Sequence, residues 1–363
     1  LPSHANIFLG SLPAYHGVHD NANFVVPSEV PILSEIFKKH NYATGAFIGA
    51  YPLDRRFGLN RGFDVYDDNY GIQDFSRSDF VERKAGEVVQ KAIEWFSSVN
   101  RSWFLWVHCF DPHAPYSPPA PFSSEYIDNP YDGEVAYVDQ VLGDLFTFLK
   151  SNDSFGNTLI ILTSDHGESL GEHGEMTHGY FAYNPTLLVP LIIVSPGIKA
   201  GSVVSSVVSH IDIFPTVCDL LGFEKPKHLK GRSLVPALRG RKIANEKVLF
   251  ESMYPYYSRG WAPLEGYIDF PEKFIESPIP ELYHLQADPG ENNNLAPEKD
   301  LVSMRAKLKE LKEDFAQGIG DVVAQDKVPA RDTIKKLRTL GYISSGESSL
   351  KKEFGPDDDV KSF

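Results

Sequence analysis

The chain has 363 residues, 42% of them hydrophobic and 12% aromatic, with a formal net charge of −14. That length can bury one large domain, or a domain and a smaller companion, and the composition is that of a globular protein. The negative charge argues against a polyanion-binding surface such as one for nucleic acid. It leaves room for an anionic substrate, because a bound metal can set the local field of a pocket. No run approaches the roughly 20 apolar residues of a membrane-spanning helix. Two cysteines, Cys109 and Cys218, are too few for a disulfide framework.

In chain order, apolar spacing predicts a helix over residues 32–40 and a short strand at 43–49. A longer helix is predicted over 78–98, with Ala85, Val88, Val89, Ala92 and Phe96 on one face. The strand SWFLWVHC at 102–109 reads as too apolar to have a solvated side. A helix over 133–150 follows, then strands at 157–165 and 189–195. Continuous apolar strands alternating with amphipathic helices predict an α/β fold, a mainly parallel sheet sandwiched by helices. Beyond about residue 240 the texture changes: KVLFES, GYIDF and KFIESP suggest a smaller sheet, followed by a charged helix over 302–316 and a terminal helix over 331–343. The expected organisation is an α/β domain over 1–240, a smaller carboxyl-terminal α+β subdomain over 241–343 and a mobile tail over 344–363.

Chemistry in such sheets gathers in loops beyond the carboxyl ends of strands. Two loops there are rich in reactive side chains. HCFDPHAPYSPP, 108–119, carries Asp111 and His113 among four prolines that stiffen it. SDHGESLGEHGEMTHG, 164–179, packs three His, one Asp and three Glu into sixteen positions, with four Gly between them. Asp165 and His166 at the tip of a buried strand, where an unpaired carboxylate would be costly, read as a metal-ligand pair, the alternative being a cap on the following turn. His173 and His178 return in the glycine-rich loop that follows, while Glu168, Glu172 and Glu175 read as a solvated face. In the opening LPSHANIFLGSLPAYHGVHDN, Ser3 looks like a helix cap, and His16 and His19 read as structural. His210 and Asp212 read as caps of the following helix.

These stretches resemble the sulfatase family of the alkaline phosphatase superfamily, in its bacterial-type branch. The opening residues are similar to the stretch after the family's nucleophile. RRFGLNRGFDVYDD, FLWVHCFDPHAPYSPP, DGEVAYVDQVLG, DHGESLGEHG and VPLIIVSPG follow in family order, and GRSLVPALRG, ELYHLQADPGENNNLA and LRTLGYI resemble its carboxyl-terminal part. The resemblance covers residues 1 to about 343. It departs at 49–52, where Gly-Ala-Tyr-Pro replaces Gly-Lys-Trp-His, and at 282–285, where Leu-Tyr-His-Leu replaces Leu-Tyr-Asp-Leu.

The resemblance implies an alkaline phosphatase-like fold and a metal-dependent hydrolase of sulfuric esters acting on a small-molecule or carbohydrate ester. Its site would place Asp165 and His166 on one divalent metal, calcium first, with zinc, manganese or magnesium as alternatives. His113 would protonate the leaving oxygen, His178 would bind a sulfate oxygen, and His4 would lie near the nucleophile. A formylglycine, or a Thr in relatives, is expected one residue before Leu1, together with a strand bearing two more acidic ligands. The chain as written is therefore expected to be an inactive fragment. The alternatives are a phosphate or phosphonate ester hydrolase, a phosphoethanolamine transferase, or a non-catalytic anion-binding remnant. A periplasmic or membrane-associated setting would suit the family.

Overall fold

A computed structural model describes residues 1–21, 24–70, 82–318 and 353–363. They fall into two compact units, one of Pro31–Ile161 with Ile193–Gly197, the other of Leu1–Val30, Leu162–Ile192 and Ile198–Phe363.

In the Pro31–Ile161 unit, strands β1 (Ala43–Ile48), β2 (Val65–Asp67) and β3 (Trp103–His108) form a parallel sheet in the order β2-β1-β3. All six residues of central β1 are buried. Helix Ala85–Phe96 packs Ala85 and Val89 against Val141 and Leu145 of helix Pro130–Ser151. Each of the Val and Leu side chains contributes roughly 1.5–3 kcal/mol of burial free energy. The first helix starts at Ala85, where the carboxylate of Asp111 accepts the Ala85 N–H at 2.9 Å. The predicted extension over 78–81 lies outside the described residues. The second helix starts at Pro130, whose missing N–H suits a first-turn position. Every residue of β3 is partly exposed, against the expectation of full burial, because β3 is the edge of its described sheet.

Strands β4 (Ile160–Thr163) and β5 (Leu191–Val194) form a two-stranded sheet.

The other unit opens with helix Pro2–Leu9, which buries His4, Ala5, Phe8 and Leu9. Ser3 lies inside this helix, so the predicted cap at Ser3 is not made; Pro2 fills the first turn instead. The unit also holds an antiparallel sheet in sequential order: β6 (Val248–Ser252), β7 (Leu264–Asp269), β8 (Glu272–Glu276) and β9 (Glu281–His284). Helix Val302–Ala316 covers it, with Leu308 and Leu311 in one cluster with Tyr267, Phe274 and Leu282. Lys273 and Glu291 form a fully buried ion pair, the ammonium lying over the Tyr183 and Phe250 rings. The sequence boundary near residue 240 falls inside this unit, between its helical part and its antiparallel sheet.

The predicted terminal helix over 331–343 lies outside the described residues, as do 344–352. The last eleven residues differ from the mobile tail expected. Val360 is buried with Leu264 and Ile275, and Phe363 stacks on Trp261 at 4.1 Å. Asp359 accepts the Ser277 hydroxyl at 2.6 Å and the Ile279 N–H at 2.8 Å. These polar anchors are long-range, so the local composition of the tail gave no sign of them. Among the described residues no helix is long and apolar enough to cross a membrane.

Candidate functional site

The site is assembled at the end of β4. Ser164 Oγ donates to the His166 carbonyl at 2.7 Å, turning the chain just after the strand. Gly167 completes the turn: its N–H donates to Thr186 O at 2.9 Å, and a Cβ there would lie 2.0 Å from the Pro185 carbonyl oxygen. No side chain fits such an approach, which is why glycine follows the Asp-His pair.

Asp165 Oδ2 lies 3.6 Å from His166 Nε2 and 3.5 Å from His4 Nδ1, so one carboxylate meets both rings. His166 Nδ1 lies 2.9 Å from Gly167 O. A carbonyl only accepts, so Nδ1 carries the proton and the neutral ring keeps its lone pair on Nε2, the atom facing Asp165. A backbone carbonyl that takes one ring N–H and leaves the other nitrogen for the metal is how metal-ligating histidines are oriented. Asp165 and His166 therefore fit two donors of a divalent cation. Among the described residues no group of three or more His, Cys, Asp or Glu is arranged to hold one.

The following loop folds back on itself: Ser169 N–H donates to Thr177 O and Gly171 N–H to Glu175 O. Gly171 takes φ +115°, which side chains resist. The return brings His178 onto His166, their rings stacked with centroids 4.0 Å apart. Behind it, Glu168 is almost entirely buried and faces His178 Nδ1 at 3.1 Å. Burial, reinforced by His166, holds the His178 pKa below the usual imidazole value, with Glu168 and Asp165 pulling the other way.

Two glutamates read as solvated are in fact inside. Glu168 pairs with His178, and buried Glu175 accepts the N–H groups of Tyr180 and Phe181. Burial raises Glu175 to about 7, against those two amide bonds. Glu172 is exposed as expected, capping the Leu170 N–H. His173 does not join His178; it turns away and stacks on Tyr183 at 3.8 Å.

Among the remaining histidines, buried His16 bridges Asn6 Oδ1 and the Val18 N–H, the structural role expected of it. His19 pairs with Glu251 at 2.7 Å. Asp212 caps as predicted, accepting from the Ser209 and Arg232 N–H groups. His210 was read as a second cap, but its Nε2 donates to Ser164 O at 2.9 Å, one residue from Asp165. Burial lowers its pKa. A lone His before a helix carries no local signal of such a partner.

The predicted residues thus divide. His4, Asp165, His166 and His178 come together in one unit, and His113 belongs to the other. There the His113 ring stacks on Phe110 at 4.0 Å and its Nδ1 donates to Ala114 O at 2.6 Å, leaving Nε2 as the second ring nitrogen. Asp111 is buried against Lys84 at 2.9 Å. The aromatic residues of 254–266 chiefly pack on other rings, Tyr257 against Phe24 and Tyr256 against Tyr257 and Phe354.

The sequence model of the sulfatase family matches residues 1–223, and that of the carboxyl-terminal part of N-sulphoglucosamine sulphohydrolase matches 171–317. Arylsulfatase K of Canis lupus familiaris is 34% identical over 183 residues, covering 46% of this chain and 33% of its own length. Delta 4,5-hexuronate-2-O-sulfatase of Bacteroides thetaiotaomicron is 30% identical over 224 residues, 57% of this chain and 44% of its own. The chain spans well under half the length of these curated relatives. Among solved structures, the phosphonate monoester hydrolase of Agrobacterium radiobacter superposes with a TM-score of 0.72 at 21% identity, covering 89% of this chain and 87% of that one. A complex with D-glucosamine-2-N,6-O-disulfate gives 0.70 at 20% identity, covering 86% and 87%. At such identities the structures speak for the fold alone, which is alkaline phosphatase-like. With the family's sequence model covering more than half of the chain and an Asp-His pair at the tip of β4, this chain belongs to the sulfatase family.

Proposed function

We propose that this protein hydrolyses sulfuric esters, with a divalent cation held in part by Asp165 and His166. The observation that carries this reading is the 3.6 Å approach of Asp165 Oδ2 to a His166 Nε2 whose lone pair is fixed by the Gly167 carbonyl, with His178 stacked alongside. When bound, such a cation lends Lewis acidity toward the ester oxygens. The imidazole donor moves the preference from calcium or magnesium towards zinc or manganese. The nucleophile, a formylglycine or Thr, and the remaining metal donors lie outside the described residues in this reading.

The chain's own residues supply the rest. His4, buried beside Asp165, borders the nucleophile. His178 donates to a terminal sulfate oxygen. Its Nδ1 proton is committed to Glu168, so the ring must carry two protons to donate through Nε2; burial lowers its pKa in the absence of substrate, and the negative charge of the bound ester joins Glu168 in favouring that state. His113 acts as the general acid. As the nucleophile bonds to sulfur and the bond from sulfur to the leaving oxygen breaks, the bonding pair stays with that oxygen. The Nε2 proton of His113 moves onto it, leaving a neutral ring. Similarity to a Delta 4,5-hexuronate-2-O-sulfatase and an N-acetylglucosamine-6-O-sulfatase supports a carbohydrate sulfate as substrate.

Turnover of 4-nitrophenyl sulfate, 4-nitrophenyl phosphate and a phenyl phosphonate monoester by the full-length protein, with and without a chelator, tests the proposal. We expect chelator-sensitive hydrolysis that favours the sulfate at least tenfold. Preference for the phosphonate or phosphate would assign it to the related phosphoryl hydrolases. Activity indifferent to chelation would remove Asp165 and His166 from a metal role.

A further inference from the structure

Around the loop that carries His113 stands a buried polar cluster to which the proposed chemistry gives no part. Glu134, on helix Pro130–Ser151, is only 1% exposed. Its Oε2 accepts the backbone N–H of His113 at 3.1 Å, and its Oε1 accepts the backbone N–H of Ser117 at 2.9 Å. Lys84 Nζ donates to Glu134 Oε1 at 3.0 Å and forms an ion pair with Asp111 Oδ1 at 2.9 Å. Asp111 in turn accepts the Ala85 N–H, tying the loop to the start of a helix. Burial disfavours the Lys84 ammonium, yet the two carboxylates outweigh it and its pKa lies above the usual value.

A carboxylate this deeply buried is costly unless it is hydrogen-bonded and paired; here two of its bonds go to one loop and a third to Lys84. Charge-assisted bonds to backbone N–H groups are short and strong. They grip the loop at His113 itself and at Ser117, while Lys84 holds Asp111 two residues before. On the side-chain end, the Phe110 ring and the Ala114 carbonyl fix the plane and tautomer of the imidazole. The backbone and Nδ1 are both held, so the position of Nε2 is set by the clamp.

We propose that Glu134, backed by Lys84 and Asp111, is a positioning residue that holds His113 for proton delivery to the leaving oxygen. This inference rests on the acid role given to His113 above. A misplacement of about 1 Å is enough to cost on the order of a hundredfold in rate. The loss falls where the proton is needed: an alkyl sulfate, a poor leaving group, requires the acid, whereas 4-nitrophenyl sulfate departs with little help.

The test uses the full-length protein with Glu134→Ala, Glu134→Gln, His113→Ala and the His113→Ala/Glu134→Ala double variant, each assayed on both esters. We expect Glu134→Ala to lower kcat on the alkyl ester about 10–100-fold and on the nitrophenyl ester less than about threefold, with KM little changed. The double variant should be no slower than His113→Ala, because Glu134 acts through that ring. Equal losses on both esters, or losses that multiply in the double variant, overturn the positioning role and leave the acid role of His113 intact. If His113→Ala shows no dependence on the leaving group, the acid role itself falls, and this inference with it. Should Glu134→Ala fail to fold, hydrogen exchange on Glu134→Gln provides the second reading. The His113 and Ser117 amides should lose at least about tenfold in protection while other loops keep theirs; unchanged protection overturns the clamp.

Discussion

His178 stacks on His166 with ring centroids 4.0 Å apart and an interplanar angle of 30°, so a residue assigned to the sulfate lies in contact with one assigned to the metal. The contact is side by side, and the two rings have different anchors: the Gly167 carbonyl for His166 and the Glu168 carboxylate for His178. Their functions should therefore separate on mutation.

In the full-length protein, Asp165→Ala should lose bound divalent metal and lower turnover by about two orders of magnitude or more, since a carboxylate ligand and its second-layer contacts go together. His178→Ala should lower turnover while metal content, measured by elemental analysis of the purified protein, stays within error. Unchanged metal in the Asp165 variant would take that carboxylate off the ligand set.

Gly167→Ala tests the turn. The added methyl would sit 2.0 Å from Pro185 O, a backbone atom with no rotamer to escape through. Forcing such an overlap costs about 1–3 kcal/mol or more in a packed region. Chemical denaturation should report that loss, and the displaced Asp165-His166 pair should bind metal more weakly. A variant as stable as the parent would show that the loop relaxes freely.

The Lys273–Glu291 pair in the antiparallel sheet offers a stability test far from chemistry. Both side chains are fully buried, and Glu291 Oε2 also accepts the Asn184 N–H at 2.6 Å. Removing one partner strands the other charge, so Lys273→Met should destabilise by about 3–5 kcal/mol. Lys273→Met with Glu291→Gln should recover a substantial part of that loss, because no isolated charge remains. Equal destabilisation in the single and double variants would mean that packing, and not charge, dominates the site.

His16 predicts a component of acid sensitivity. Burial first, then His19, lowers its pKa to about 3, while the unfolded chain takes up the same proton near 6.5. The depressed folded value means that the unfolded state binds more protons between these limits. Stability from His16 is therefore complete above about pH 6.5 and is lost as the pH falls towards 3. His16→Gln should flatten the stability profile across that window, as followed by denaturant midpoints at several pH values. A profile with the same slope in both proteins would assign the acid sensitivity elsewhere.

The sequence by itself determined much of the framework and part of the site. Helices such as Ala85–Phe96 follow from apolar spacing, which is local, and so does the run that becomes β4. Asp165 and His166 stand out as candidates because they are adjacent and end a strand, and His113 because prolines confine it; their roles stay proposals. Tertiary structure alone decided the rest. Glu168 and Glu175 are buried because a loop of sixteen residues folds back and supplies His178 and two amides as partners, and no composition rule reports that. His173 left the group for Tyr183, His210 reached Ser164 across 46 positions, and Glu134 found the His113 loop across 21. Periodicity and spacing carry information over a turn or a strand. The partner that makes a buried charge tolerable, and so gives it a task, is fixed only when distant segments meet.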